Sequence, residues 1–126
     1  MIKLTFCICR LPHLTHEEFD RYWKDHHAEL VRSYAKELRI RRYIQVPAYN
    51  NQAVQEKARK SRAAEFKEFD GIAELWWDSL NDLISALGTP EGAAADKVLL
   101  EDEKRFIDLS RSRLWYGVER EIISIR

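Results

Sequence analysis

Cysteine, net charge and long apolar runs are all scarce in this chain of 126 residues. Its two cysteines, Cys7 and Cys9, stand one residue apart. On an extended strand such neighbours point the same way about 7 Å apart, a poor geometry for a disulfide. Reduced thiols filling one face of a strand are therefore expected, as in a cytosolic protein. Adding His13 and His16 to the thiols makes no familiar zinc spacing, so no metal site is assigned. Lys plus Arg is 21 and Asp plus Glu is 21, leaving no surplus of positive charge for phosphate backbones. Nucleic acid is thus excluded as the expected partner. No stretch approaches the roughly 20 apolar residues of a membrane span. The opening Met-Ile-Lys-Leu-Thr-Phe alternates and then meets Arg10 and Pro12. That is unlike a signal peptide, and a cytoplasmic location is expected.

What is present is the composition of a folded domain: 45% apolar and 33% charged residues. The length suits one domain. The balanced charge hides a split. Residues 1–62 hold 13 Lys and Arg against 7 Asp and Glu, and residues 63–126 hold 8 against 14. In a two-fold dimer, a basic segment of one copy is expected to meet the acidic half of the other.

Alternation of Ile2, Leu4, Phe6 and Ile8 with Lys3, Thr5, Cys7 and Cys9 predicts a first strand, ended by Pro12. Thr15-His16-Glu17-Glu18 reads as a capping box. It opens a helix expected to reach Lys36 or Leu38, with Phe19, Trp23, His26, His27, Leu30 and Tyr34 within about 100° of arc. Arg39 to Val46 is the second predicted strand, with Ile40, Ile44 and Val46 on one face and Tyr43 on the other. Residues 48–68 are polar and form a partly helical insertion or arm. Phe69 to Trp77 is the third strand. Asp78 or Ser79 caps a helix that Gly88 ends, Pro90 opens another to about Leu100, and Arg113 to Ile125 is the last strand. The order β-α-β-(arm)-β-α-β is the ferredoxin-like split βαβ plan of the α+β class, a four-stranded antiparallel sheet with helices on one face. The uncovered face is expected to show Cys7, Tyr43, Leu75 or Trp76, and Trp115 or Tyr116. That much apolar area calls for a second copy, hence a homodimer.

Imidazole titrates near neutral pH, so the four histidines carry the clearest chemical signal. His13 and His16 fall at the entry to the first helix and read as exposed. His26 and His27 fall in mid-helix, about 100° apart, so only one points squarely between helix and sheet. Flanked by Trp23, Leu30 and Tyr34, that ring is disfavoured in its charged form and becomes a neutral base or hydrogen-bond donor. The alternative is a core histidine tied to a backbone carbonyl. Trp23, Tyr22, Tyr34, Tyr43, Trp76 and Phe6 are candidate contacts for a planar hydrophobic ligand, with tyrosine hydroxyls able to polarise a carbonyl. Arg10, Arg41 and Arg42 are candidates to hold a carboxylate or phenolate. Asp70 and Asp102 can supply a carboxylate, but read as turn or cap residues.

The run Phe19-x-x-Tyr22-Trp23-x-x-x-His27-x-x-Leu30-Val31 resembles the signature of EthD-domain proteins. Phe69-Asp70-Gly71-Ile72-Ala73-Glu74-Leu75-Trp76 resembles their third strand, and Asp102-Glu103-x-x-Phe106-Ile107-Asp108 their acidic motif. The resemblance spans nearly the whole chain apart from the arm. It implies a dimeric α+β barrel with a cofactor-free pocket between helices and sheet. Similar proteins include muconolactone methylisomerases, polyketide decarboxylases, dehydratases and cyclases. A first-helix histidine serves several of them. It matches His27 in the common EthD spacing and His26 in the methylisomerase-like one. The implied function is a cofactor-independent lyase, isomerase or cyclase working by histidine acid–base catalysis on a small aromatic or polyketide-like carbonyl compound. The alternatives are a non-catalytic carrier of hydrophobic ligands and a haem-linked monooxygenase or peroxidase.

Overall fold

A computed structural model describes residues 1–125. Strand β1 (Ile2–Ile8) leads to helix α1 (His16–Tyr22), which runs through a π turn (Trp23–His27) into α2 (Ala28–Tyr34). Strand β2 (Arg42–Pro47), helix α3 (Gln52–Ser61) in the arm, strand β3 (Gly71–Trp77), helices α4 (Leu80–Gly88) and α5 (Pro90–Glu103), a short 3-10 turn and strand β4 (Arg113–Gly117) follow. The sheet order is β2-β3-β1-β4, and all three neighbouring pairs are antiparallel. This is the expected ferredoxin-like α+β plan.

Local chemistry explains most boundaries. Thr15 accepts from the Glu18 backbone N–H at 3.1 Å, while the Glu18 carboxylate accepts from the Thr15 N–H at 2.9 Å. That completes the capping box. Ser79 and Thr89 cap α4 and α5 through their hydroxyls, at 3.1 and 2.9 Å. Pro90 sits in the first turn of α5, where its missing N–H costs nothing.

Three boundaries differ from expectation. Strand β2 starts at Arg42 rather than Arg39, because Arg39 takes a left-handed φ of 56° that reverses the chain after the helix. Helix α5 runs to Glu103 rather than Leu100, since nothing in Glu101-Asp102-Glu103 breaks a helix. Strand β4 ends at Gly117, well short of Ile125. Gly117 pairs with Lys3 near the start of β1, so the ladder runs out of partners there. The alternating Ile123 and Ile125 then lie exposed.

Helices pack on the sheet face carrying Phe6, Ile8 and Ala73, against which Phe19, Trp23, Phe106 and Ile107 are buried. A second cluster of Val31, Leu38, Ala95 and Leu99 gathers Tyr43, Ile40 and Leu75 around it. So Tyr43 lies on the helix side, not on the uncovered face as expected, and of the paired alternatives Leu75 and Tyr116 lie on the helix side as well. Period-two alternation along each strand fixes this once Phe6 is known to face the helices, since Phe6 is level with Ala73 and Leu114. Cys7, Trp76 and Trp115 do take the other face. Trp76 is nonetheless buried there: Lys3 and Arg42 flank it in register, 4.9 and 4.7 Å from the ring centroid. Its indole N–H donates to Glu119. Trp115 stays 54% exposed, a large ring left without cover.

Candidate functional site

The first helix would drift if it were uniformly α-helical, because a four-residue step overshoots a turn by about 40°. The π turn corrects this. The Ala28 N–H donates five residues back, to the Trp23 carbonyl. Phe19, Trp23, His27 and Val31, each four apart, are therefore all buried on one line. The same Trp23 carbonyl also accepts from Gln45 Nε2 of β2 at 3.0 Å, pinning the turn to the sheet. Gly71 allows the close approach: a Cβ there would sit 2.6 Å from the Trp23 ring.

This register decides between the two histidines. His27 is buried with a side chain 7% exposed, whereas the His26 side chain is 54% exposed and leans on Tyr22 outside. The His27 Nδ1 lies 2.8 Å from Asp102 Oδ2, and the Tyr22 hydroxyl donates to Asp102 Oδ1 at 2.5 Å. His26 Nε2 approaches the same oxygen at 3.3 Å. Burial holds the His27 pKa below its ordinary value, with Asp102 opposing only in part. Burial acts to raise the Asp102 pKa, but hydrogen bonds from Tyr22 and His27 hold the carboxyl below the usual range. The pair at neutral pH is thus a carboxylate beside a neutral imidazole. With a neutral ring, Nδ1 carries the proton donated to Asp102, and Nε2 keeps a free lone pair.

His27 is one wall of a cavity of about 110 Å³ between helices and sheet. Phe6, Trp23 and Tyr43 line it as expected, and Trp77 and Tyr116 join them. The Tyr43 hydroxyl accepts from Gln45 Nε2 at 2.9 Å, and burial raises its pKa, so it stays a neutral donor. Trp77 is fixed by its N–H to the Leu38 carbonyl at 2.8 Å. Glu103 also lines the cavity. Burial, with Asp96 and Asp102 adding like charge, pushes its carboxyl up to about 7.

Other expected site residues lie elsewhere. His26 and Tyr22 are behind the dyad, and Tyr22 acts on Asp102 rather than on the cavity. Tyr34 packs on the second core cluster, and Trp76 is on the opposite sheet face. None of the three candidate arginines reaches the cavity. Arg10 pairs with Asp70 at 2.6 Å, Arg41 with Asp78 at 3.5 Å, and Arg42 covers Trp76. Among the described residues no Lys or Arg lines the cavity. Asp102 is a helix residue of the dyad rather than a turn residue, and Glu103 was not singled out by sequence. The signal for both was the acidic pair preceding Phe106, readable only once α5 is known to extend past Leu100. Cys7 and Cys9 are free thiols with raised pKa values, chiefly through burial. Among the described residues no group of His, Cys, Asp and Glu is placed to hold a metal ion, and no helix is long and apolar enough to cross a membrane.

A ferredoxin-like sheet with a histidine–aspartate pair opening into an apolar cavity defines the class. Within it, the chain belongs to the EthD-domain family, whose model matches residues 11–110. An EthD family protein from Bacillus halodurans is 22% identical, with a TM-score of 0.61 over 95% of this chain and 99% of that one. A dimeric protein of unknown function and ferredoxin-like fold from Bacteroides fragilis is 13% identical, with a TM-score of 0.55 over 92% and 93%. SnoaB from Streptomyces nogalater, a cofactor-independent oxygenase, is 12% identical, with a TM-score of 0.50 over 97% and 93%. At such identities the likeness is one of fold. None of the curated proteins compared matches the chain.

Proposed function

We propose that this protein is a cofactor-independent lyase, isomerase or cyclase acting on a small aromatic or polyketide-like carbonyl compound, with His27 as general acid–base. The observation that carries the reading is the buried Asp102–His27 pair at 2.8 Å, with the imidazole facing an apolar cavity. His27 Nε2 takes a proton from the carbon next to the carbonyl. Asp102, already charged, stabilises the imidazolium that forms and keeps Nδ1 protonated. Electrons move into the carbonyl, and the resulting enolate oxygen accepts a hydrogen bond from Tyr43, whose own oxygen is oriented by Gln45. The imidazolium then returns the proton, to another carbon in an isomerisation or to a leaving hydroxyl in a dehydration. Exclusion of water strengthens the Asp102–imidazolium and Tyr43–enolate interactions, which offset the cost of forming charge in the cavity. A cavity of about 110 Å³ is smaller than the about 150 Å³ that holds benzene in an apolar core, which favours a small ligand over a porphyrin.

The test needs no knowledge of the natural substrate. The methyl protons of 4-hydroxyacetophenone in D2O are followed by NMR. Wild type is expected to accelerate their exchange, and His27→Gln to lose that acceleration. Exchange no faster than in buffer, or equal in both proteins, overturns the reading.

Homodimerisation belongs to the same proposal. Exposed Trp115 on the face away from the helices supports it. Light scattering is expected to give roughly 30 kDa, twice the 15.0 kDa chain. Trp115→Glu should shift the mass toward the monomer.

A further inference from the structure

Most of the cavity wall is explained by packing or by the dyad, but one group is not. Glu103 brings a carboxyl to a wall made mostly of Phe6, Ile8, Val31, Leu99 and other apolar side chains. It makes no hydrogen bond or ion pair there among the described residues. Its neighbour Asp102 is saturated by Tyr22 and His27, and Asp96 sits exposed at the rim. Among the described residues no Lys or Arg lines the cavity to balance either glutamate or ligand charge. The Glu103 oxygens stay accessible, since no fully buried side-chain oxygen lacks a partner among the described residues, so the carboxyl is available to a ligand in the cavity.

We infer that Glu103 is a specificity-determining residue: it hydrogen-bonds a hydroxyl or carbonyl of an uncharged ligand and turns carboxylated ligands away. This rests on the reading of the cavity as a substrate pocket. It narrows the substrate class to neutral phenols and hydroxyaryl ketones. In its protonated form Glu103 donates to a carbonyl or phenol oxygen, and in its charged form it accepts from a phenol O–H. The protonated form can also donate to a ligand carboxylate. The charged form repels one, with Asp96 adding to the repulsion and no arginine lining the cavity among the described residues. The groups facing Glu103 are Asp96 and Asp102 from α5, Tyr43 from β2, Tyr116 from β4 and His27 from the π turn. Burial and the like charges beside it put the Glu103 carboxyl at about 7.

Binding calorimetry with four single-ring probes of one shape tests this: 4-methylphenol, 4-methylbenzamide, 4-methylbenzoate and 4-methylbenzylamine. At pH 8 the wild-type protein should bind the two neutral probes at least about tenfold tighter than the benzoate. Glu103→Gln should bring benzoate within about threefold of benzamide. Should that variant fail to fold, the wild type supplies the same test, because benzoate should gain about threefold or more on benzamide from pH 8 to pH 6. Discrimination that survives Glu103→Gln, or that ignores pH, overturns the inference. So does tightest binding of the benzylamine, which would make the site a cation site, and so does failure of every probe to bind below about 5 mM. In His27→Gln the discrimination should persist. Lost exchange chemistry and lost probe selectivity therefore report on different residues.

Discussion

Two aspartates in this molecule each gather a histidine, and they do different work. Asp70 holds His16 Nδ1 at 3.0 Å together with the Arg10 backbone N–H at 2.8 Å and the Arg10 guanidinium at 2.6 Å. Asp102 holds His27 at 2.8 Å, Tyr22 at 2.5 Å and His26 at 3.3 Å, with no Lys or Arg bonded to its carboxylate among the described residues. The first carries a permanent counter-charge and ties the chain after β1 to the entry of β3 and the start of α1. It is a clasp. The second has only groups that can give or take protons, and its histidine faces a cavity. A carboxylate next to arginine is spent on structure. One next to a neutral imidazole can absorb the charge of a proton transfer.

The sharpest way to break this comparison is to swap the histidines. His27→Gln should lower proton exchange from 4-hydroxyacetophenone by about 10² to 10⁴, while His16→Gln should leave it within about twofold, as read by NMR. Asp102→Asn should follow at about 10 to 10² in rate, because the amide no longer stabilises the imidazolium; Asp70→Asn should leave the rate near wild type. Next comes Gly71→Ala, beside the clasp. Its Cβ would meet Trp23 at 2.6 Å and the Val46 carbonyl at 3.1 Å, so thermal unfolding should report a loss of about 1–3 kcal/mol.

Titration gives a gentler test. Asp70 and Asp102 both have folded pKa values below the unfolded ones. The unfolded chain therefore binds more protons in acid. Their stabilisation is complete above the unfolded carboxylate pKa of about 3.9 and is lost as pH falls through the depressed folded values. Glu103 has the opposite sign. Its pKa rises from 4.5 to about 7, so the folded chain holds the extra proton and stability declines as pH rises through that window. Denaturant melts should show Glu103→Gln gaining on the order of 1–3 kcal/mol more at pH 8 than at pH 4.5. A small effect is also expected at His26, whose substitution by Gln should change the exchange rate less than about threefold, since its ring stands outside the cavity.

Much of the fold was legible because its signals are local. The capping box at Thr15, the caps at Ser79 and Thr89 and the alternation of β1 each act within a few residues. Errors fell where a boundary depends on something distant. Residues 118–125 alternate like a strand, but β1 offers no partner beyond Lys3. Trp76 looked like a pocket aromatic because an aromatic side chain does not announce its face. The register against Lys3 and Arg42 assigns it to the other side.

By itself, then, the sequence determined the order of elements, the antiparallel plan, the helix that bears two histidines and the acidic motif downstream. Only the tertiary structure decided which imidazole is buried, which carboxylate it meets and which is left facing the cavity. The reason is physical. Helical and strand periodicities are set by neighbours within a turn or two, whereas the His27–Asp102 contact joins residues 75 apart. The π turn that aims His27 depends on Gln45 reaching across from the sheet to a carbonyl 22 residues away. Such contacts exist only once α5 and β2 have packed against the first helix, and no local pattern encodes them.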